Sequence, residues 1–351
     1  MIAAGNPPAR LVTVRGRMWS AEWLAFVWSS VPGFALACAA ASGIVPESLV
    51  LALFAISFVG LNLMHMGATW ARVYVRPGWR GHSVERLIIP FALVCFALGF
   101  EALGGGALLL ALQYFLSFHH ALMQNYGLVR ASQRRSGRQV DIRLDQAACL
   151  LLPGAALLYR AGAVCDQYAG APVPSLPLSL LTVLGAAGAI ALLAFIGREW
   201  RSHRAGAAVD PIGVGIFAGT NLIWSALLIG DPHPAIPLYA LASGHYVQYL
   251  YFVWRTEQRE APAASAGGTA VRLQAMLRSS RLEYLLVLLI LAGAVTLALT
   301  FASAGLRSLA EAHDLRPSGA LAIQPWAAAM LGINLEHYWL DHRIWRTRTA
   351  R

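Results

Sequence analysis

Ten histidines occur in this chain of 351 residues, and their positions divide them into two groups. His82, His203, His233 and His313 lie in polar connecting stretches, where an imidazole is simply solvated. His65, His119, His120, His245 and His337 lie inside long apolar runs, and His342 closes the last of these runs. Ionisable groups in such runs are costly to bury and by default mark function. Singly, each could be an interhelical hydrogen-bonding group. Jointly they share a depth. His120 and His245 each precede an arginine (Arg130, Arg255) by ten residues, about 15 Å along a helix. His65 precedes Arg72 by seven and His337 precedes Arg343 by six, about 9–10 Å at the same rise. Four imidazoles from four helices are therefore expected in one thin slab, which is what a metal site in a helical bundle requires.

The surroundings repeat as well. After His120 and His245 comes a tyrosine at +6 (Tyr126, Tyr251), and these two are the candidate catalytic residues, expected to donate hydrogen bonds or guide protons. Asp341 follows His337 at +4 and Gln124 follows His120 at +4, on the same helical faces as their histidines. Asp341 could coordinate directly, while Gln124, Gln248 and His342 are expected to hold imidazoles in one tautomer from behind. His119 and His120 diverge by about 100° around a helix, so only one can face a shared point; the match to His245 selects His120. Asn62, Asn125 and Asn334 stand near these histidines and could hydrogen-bond within the bundle.

Such side chains need helices to carry them, and the composition supplies them. The chain is 58% hydrophobic and 13% charged, with a mean hydropathy of +0.56. A soluble domain carries about a quarter charged residues. Apolar stretches of about 20 residues suit a bilayer core, and they fall near 21–43, 48–70, 87–104, 105–128, 146–164, 176–197, 211–230, 235–255, 282–303 and 319–341. The expected architecture is an all-α polytopic bundle of about ten spans, a single integral membrane domain over residues 1–351. The stretch 71–86 is expected along the interface, and 257–281 as a flexible loop. Glu101, Asn221 and Trp224 are the exceptions in otherwise featureless scaffold spans.

Charge tests that arrangement. All 27 basic residues are arginine. With both ends inside, only Arg160, Arg307 and Arg316 fall on the outer side, and the remaining 24 stay inside, as positively charged loops should. The net charge of +10 therefore reads as topology in an inner-membrane, multi-pass protein, and nucleic-acid binding is excluded. The four cysteines (Cys38, Cys95, Cys149, Cys165) lack the spacing of a disulfide framework or zinc knuckle.

Imidazole suits iron, copper, zinc and nickel alike. With no thiolate near the slab, iron activating dioxygen toward a membrane lipid or other apolar small molecule is the leading expectation, supplied by a cytoplasmic electron donor. The His119-His120 pair and the single histidines on several spans resemble, in site layout, the histidine-rich membrane oxygenases: the fatty-acid desaturase and hydroxylase superfamily and the bacterial membrane carotene dioxygenases. That resemblance implies non-haem iron and an apolar substrate. The alternatives from the residues alone are a b-type haem protein, a zinc-dependent lipid hydrolase using Asp341 with Ser117 or Ser243, a copper site, and a proton or metal-ion transporter broken at Pro153-Gly154.

Overall fold

A computed structural model describes residues 20–75, 87–137, 141–164, 175–230, 235–259, 275–277, 280–312 and 325–347. Most of the 71–86 and 257–281 stretches lies outside the described residues. The described chain is helical throughout, with no strand. Its helices form ten successive rods. The first, α1, is broken: Ala21–Phe26, a 3₁₀ turn Trp28–Ser30 and Val31–Ala41, with proline in the first turn of the last piece. Then come α2 (Glu47–Trp70), which runs into a π-turn Ala71–Val75, α3 (Ile89–Ala102), α4 (Gly106–Arg135), α5 (Ile142–Val164) and α6 (Leu178–Arg204). The seventh rod, α7 (Pro211–Gly230), is interrupted by a π-turn at Ile216–Thr220, and α8 (Ala235–Arg259), α9 (Arg281–Ala312) and α10 (Pro325–Thr347) complete the series.

Five helical segments among the described residues are long and apolar enough to cross a membrane: Gly106–Arg134, Ile142–Ala161, Leu178–Arg204, Pro211–Gly230 and Arg281–Ala298. They are consistent with a membrane protein. The polarity of the molecule is inverted in the same sense. Val183, Ile190 and Leu193 on α6 and Ile290, Leu297 and Phe301 on α9 are exposed, whereas His65, Thr69, Gln124, Gln248, His337 and Asp341 are buried. Apolar patches of that extent on a surface signal contact with lipid or protein rather than water. α8 and α10 fall outside the five, and they carry much of this buried polarity.

Helix ends differ from the hydropathy expectation by several residues. α4 continues to Arg135 and α6 to Arg204, past the expected ends at 128 and 197. Hydropathy reports only the apolar stretch, while the backbone ladder continues as long as side chains find partners. On α4 and α6 they do: Arg198 Nη2 donates to Asp145 Oδ1 at 2.6 Å and Gln133 Nε2 to Asp145 Oδ2 at 2.9 Å, tying α4, α5 and α6 together at one end. The triple glycine gives the α3–α4 turn. Gly104 adopts φ +82°, and its N–H and that of Gly105 return to Glu101 and Phe100 carbonyls.

Four of the rods make a closed ring: α2 packs on α8, α8 on α4, α4 on α10 and α10 on α2. α1, α3 and α9 lean on this ring from outside, α3 against α10 so tightly that a Cβ on Gly332 would lie 2.7 Å from Val94 Cα. Gly332→Ala is therefore expected to push α10 off α3 and cost about 1–3 kcal/mol. Thermal unfolding in detergent checks this, and an unchanged midpoint would show that the contact is slack.

Candidate metal centre

Each helix of the ring carries one imidazole inward: His65 from α2, His120 from α4, His245 from α8 and His337 from α10. All but His120 are almost wholly buried, and His120 is about 10% exposed. His65 Nε2 lies 2.7 Å from His337 Nε2. That is hydrogen-bond distance between two imidazoles, a little shorter than the roughly 3.0–3.4 Å between adjacent nitrogens about 2.1 Å from one ion. One ligand atom from each of His65, His120, His337 and Asp341 lies within 4.8 Å of all the others. The ring of His245 stands beside this set, its centroid 4.9 Å from that of His65 and 5.1 Å from that of His120.

Asp341 has two differently placed oxygens. Oδ1 accepts from Tyr249 Oη at 2.6 Å and from Thr69 Oγ1 at 3.0 Å, and these two hydroxyls are themselves 2.7 Å apart. Oδ2 has no hydrogen-bond partner and sits 3.6 Å from both His120 Nε2 and His337 Nε2. His120 Nε2 is likewise buried without a partner. A gap of 3.6 Å is too long for a hydrogen bond, and an orphaned buried carboxylate oxygen facing an orphaned buried nitrogen demands an explanation. A shared cation supplies one. The donor set of neutral nitrogens plus one carboxylate suits a divalent transition metal, and the hydrogen bonds on Oδ1 leave Oδ2 as the single ligand oxygen.

The helical register explains how these residues meet. On every helix of the ring the histidine is followed at +4 by a polar side chain: Thr69, Gln124, Tyr249 and Asp341. Positions i and i+4 share a face, so a second polar layer forms one turn from the imidazoles. Three of its members make the hydroxyl–carboxylate cluster, and the fourth, Gln124, donates Nε2 to the main-chain carbonyl of His245 at 3.0 Å. Thr69 and Tyr249 escaped the sequence reading because it followed the tyrosines at +6.

The other candidate residues lie elsewhere. A +6 offset rotates a side chain by about 120° from its histidine, and accordingly neither Tyr126 nor Tyr251 lines the histidine cavity. Both pack against the main apolar core, with Tyr251 edge-on to Phe26 at 5.3 Å. Gln248 turns to α1, donating to the Phe26 carbonyl at 2.8 Å. His119 is exposed on the outer face of α4. The side chain of His342 lies outside the described residues. Glu336 accepts from Trp70 Nε1 and Tyr74 Oη, so it is engaged away from the centre. Asn221 donates to the Ala148 carbonyl, and Cys149 to that of Leu122.

A cavity of about 180 Å³ opens beside the imidazoles. Asn62, Phe118, Trp224, Leu241, Tyr246 and Asn334 contribute to its wall, and Tyr338 stacks on His120 at 4.7 Å. The Tyr338 hydroxyl meets Ser117 Oγ and Gln113 Nε2, each at 2.6 Å. The fold and this centre define a class, a helical bundle of membrane type enclosing a cluster able to hold a metal. Comparison with protein-family models, curated proteins and solved structures gives no match for the chain.

The support of Asp341 can be tested directly. Tyr249→Phe and Thr69→Val each remove a donor to Oδ1 without removing a ligand. Each is expected to weaken metal binding about 10–100-fold with little change in helicity. Metal titration followed by dialysis measures it, and wild-type affinity in both variants would show that the cluster does not orient the carboxylate.

Proposed function

We propose that this chain is a membrane metalloenzyme, an iron-dependent oxygenase or desaturase acting on a lipid or other apolar molecule that reaches the histidine cavity from the bilayer. The observation that carries this reading is the convergence of His65, His120, His337 and Asp341, with Asp341 Oδ2 and His120 Nε2 both buried and unpartnered at 3.6 Å. Imidazoles with one carboxylate and open positions are the donor pattern of non-haem iron oxygenases. Iron bound there would supply dioxygen activation. The chain's own contribution is to hold the ligands rigidly, to exclude water by burial, and to present an apolar wall to the substrate. Electrons would come from a cytoplasmic donor.

Several observations favour this reading over its rivals. His65 and His337 stand too close for the opposed axial ligands of a haem, and the His120 and His245 rings occupy the space a porphyrin would need. As hydrolase nucleophiles, Ser117 is engaged with Tyr338 and Ser243 donates to the Tyr239 carbonyl of its own helix. At Pro153-Gly154, the break the sequence offers a transporter, α5 runs on without interruption to Val164. The reading includes ten spans in an inner membrane with both ends cytoplasmic, supported by the ten rods and by the 24 arginines on one side.

Two measurements test the proposal. Protein purified gently in detergent is expected to contain near-stoichiometric iron, with His120→Ala and Asp341→Ala each losing most of it. Zinc as the native metal would favour the hydrolase instead, and no metal would sink the enzyme reading. For topology, a cysteine replacing Ser202 in a cysteine-free background should react with an impermeant maleimide only from the cytoplasmic side; labelling from outside would invert the orientation.

A further inference from the structure

The cavity beside the imidazoles is not uniformly greasy. Asn62 and Asn334 stand three residues before His65 and His337, about 4.5 Å along their helices on the side away from Thr69 and Asp341. Both are half-buried and line the cavity, with no hydrogen bond seen for either amide among the described residues. Ser117 holds the matching position before His120, and it links to the Tyr338 hydroxyl. Beyond this polar collar the wall is mostly apolar, with Phe118, Trp224 and Leu241 beside the rings of Tyr114, Tyr239 and Tyr246.

An amide inside a membrane bundle is costly unless hydrogen-bonded. α2 and α10 each place one at the same level, opening onto the same space, although a leucine would fill either position with no such cost. We infer that the substrate of this cavity carries a hydrogen-bonding oxygen, a hydroxyl, beside the carbon presented to the metal centre, and is not a plain hydrocarbon. Asn62 and Asn334 grip that oxygen from two helices, each amide offering both a donor and an acceptor, which a hydroxyl matches in kind. The apolar remainder of the molecule extends along Phe118, Trp224 and Leu241. This deepens the reading of the histidine cavity as a substrate site and rests on it.

A hydrocarbon entering the same space would leave the amides unpaired, a difference of roughly 10–100-fold in affinity, or about 1.4–2.8 kcal/mol. The test uses decanol and decane at equal mole fraction in the bilayer of nanodiscs containing the full chain, with binding read from the rise in unfolding temperature. Decanol is expected to bind at least about tenfold more tightly than decane to the wild type, and Asn62→Leu with Asn334→Leu should abolish that preference. Equal binding of the two probes to the wild type overturns the inference, as does a preference that persists in the double variant. If the double variant fails to fold, the wild-type comparison and the two single variants decide. Metal content measured on the same samples keeps the two readings apart. Metal without an alcohol preference removes this inference alone, and an alcohol preference without metal removes the metalloenzyme alone.

Discussion

The structure depends on one constraint: four imidazoles and a carboxylate are gathered where there is little water to solvate them. Each such group costs free energy to bury unless something answers it. The hydrogen bonds from Thr69 and Tyr249 to Asp341 answer half of that demand by joining α2, α8 and α10 through one carboxylate oxygen. The other oxygen and the facing His120 nitrogen are left unanswered by the protein, and this asymmetry makes the cluster read as a ligand set rather than as a structural network.

The ring of four helices follows from that demand. A site fed by four helices needs α2, α4, α8 and α10 at the same level and in mutual contact, and the sequence separates them by long apolar rods. The scaffold rods hold the ring from outside by close approach. A Cβ on Gly67 of α2 would lie 2.8 Å from the Leu288 carbonyl of α9, as one on Gly332 would crowd α3. Small residues at such contacts are how helices associate where lipid removes the hydrophobic driving force between them. The scaffold also shapes the cavity, since Trp224 of α7 reaches its wall.

Much of this was legible from residue spacing. Long apolar runs separated by polar, arginine-bearing stretches locate the rods, and common distances to boundary arginines bring His65, His120, His245 and His337 to one level. The i+4 relation singles out Asp341 and Gln124. What spacing did not deliver was azimuth. Tyr126 and Tyr251 repeat at +6 and draw attention, yet that offset turns them into the packing between helices. Tyr249 and Thr69, at +4, sit beside the centre but resemble ordinary bundle residues until their partners on other helices are known. Gln248 was indistinguishable from a ligand support in one dimension because its acceptor, the Phe26 carbonyl, belongs to a helix more than 200 residues away. Depth is a property of one helix and can be read from it, whereas facing is a property of pairs.

The proposed ion is shared by side chains from α2, α4 and α10. X-ray absorption at the metal edge of the purified, metal-bearing protein tests it most directly. The account predicts nitrogen and oxygen neighbours at about 2.0–2.2 Å, together with the outer-shell scattering of several imidazole rings, and loss of part of that ring signal in His65→Ala. A spectrum without imidazole scattering, or one unchanged by that substitution, would contradict it.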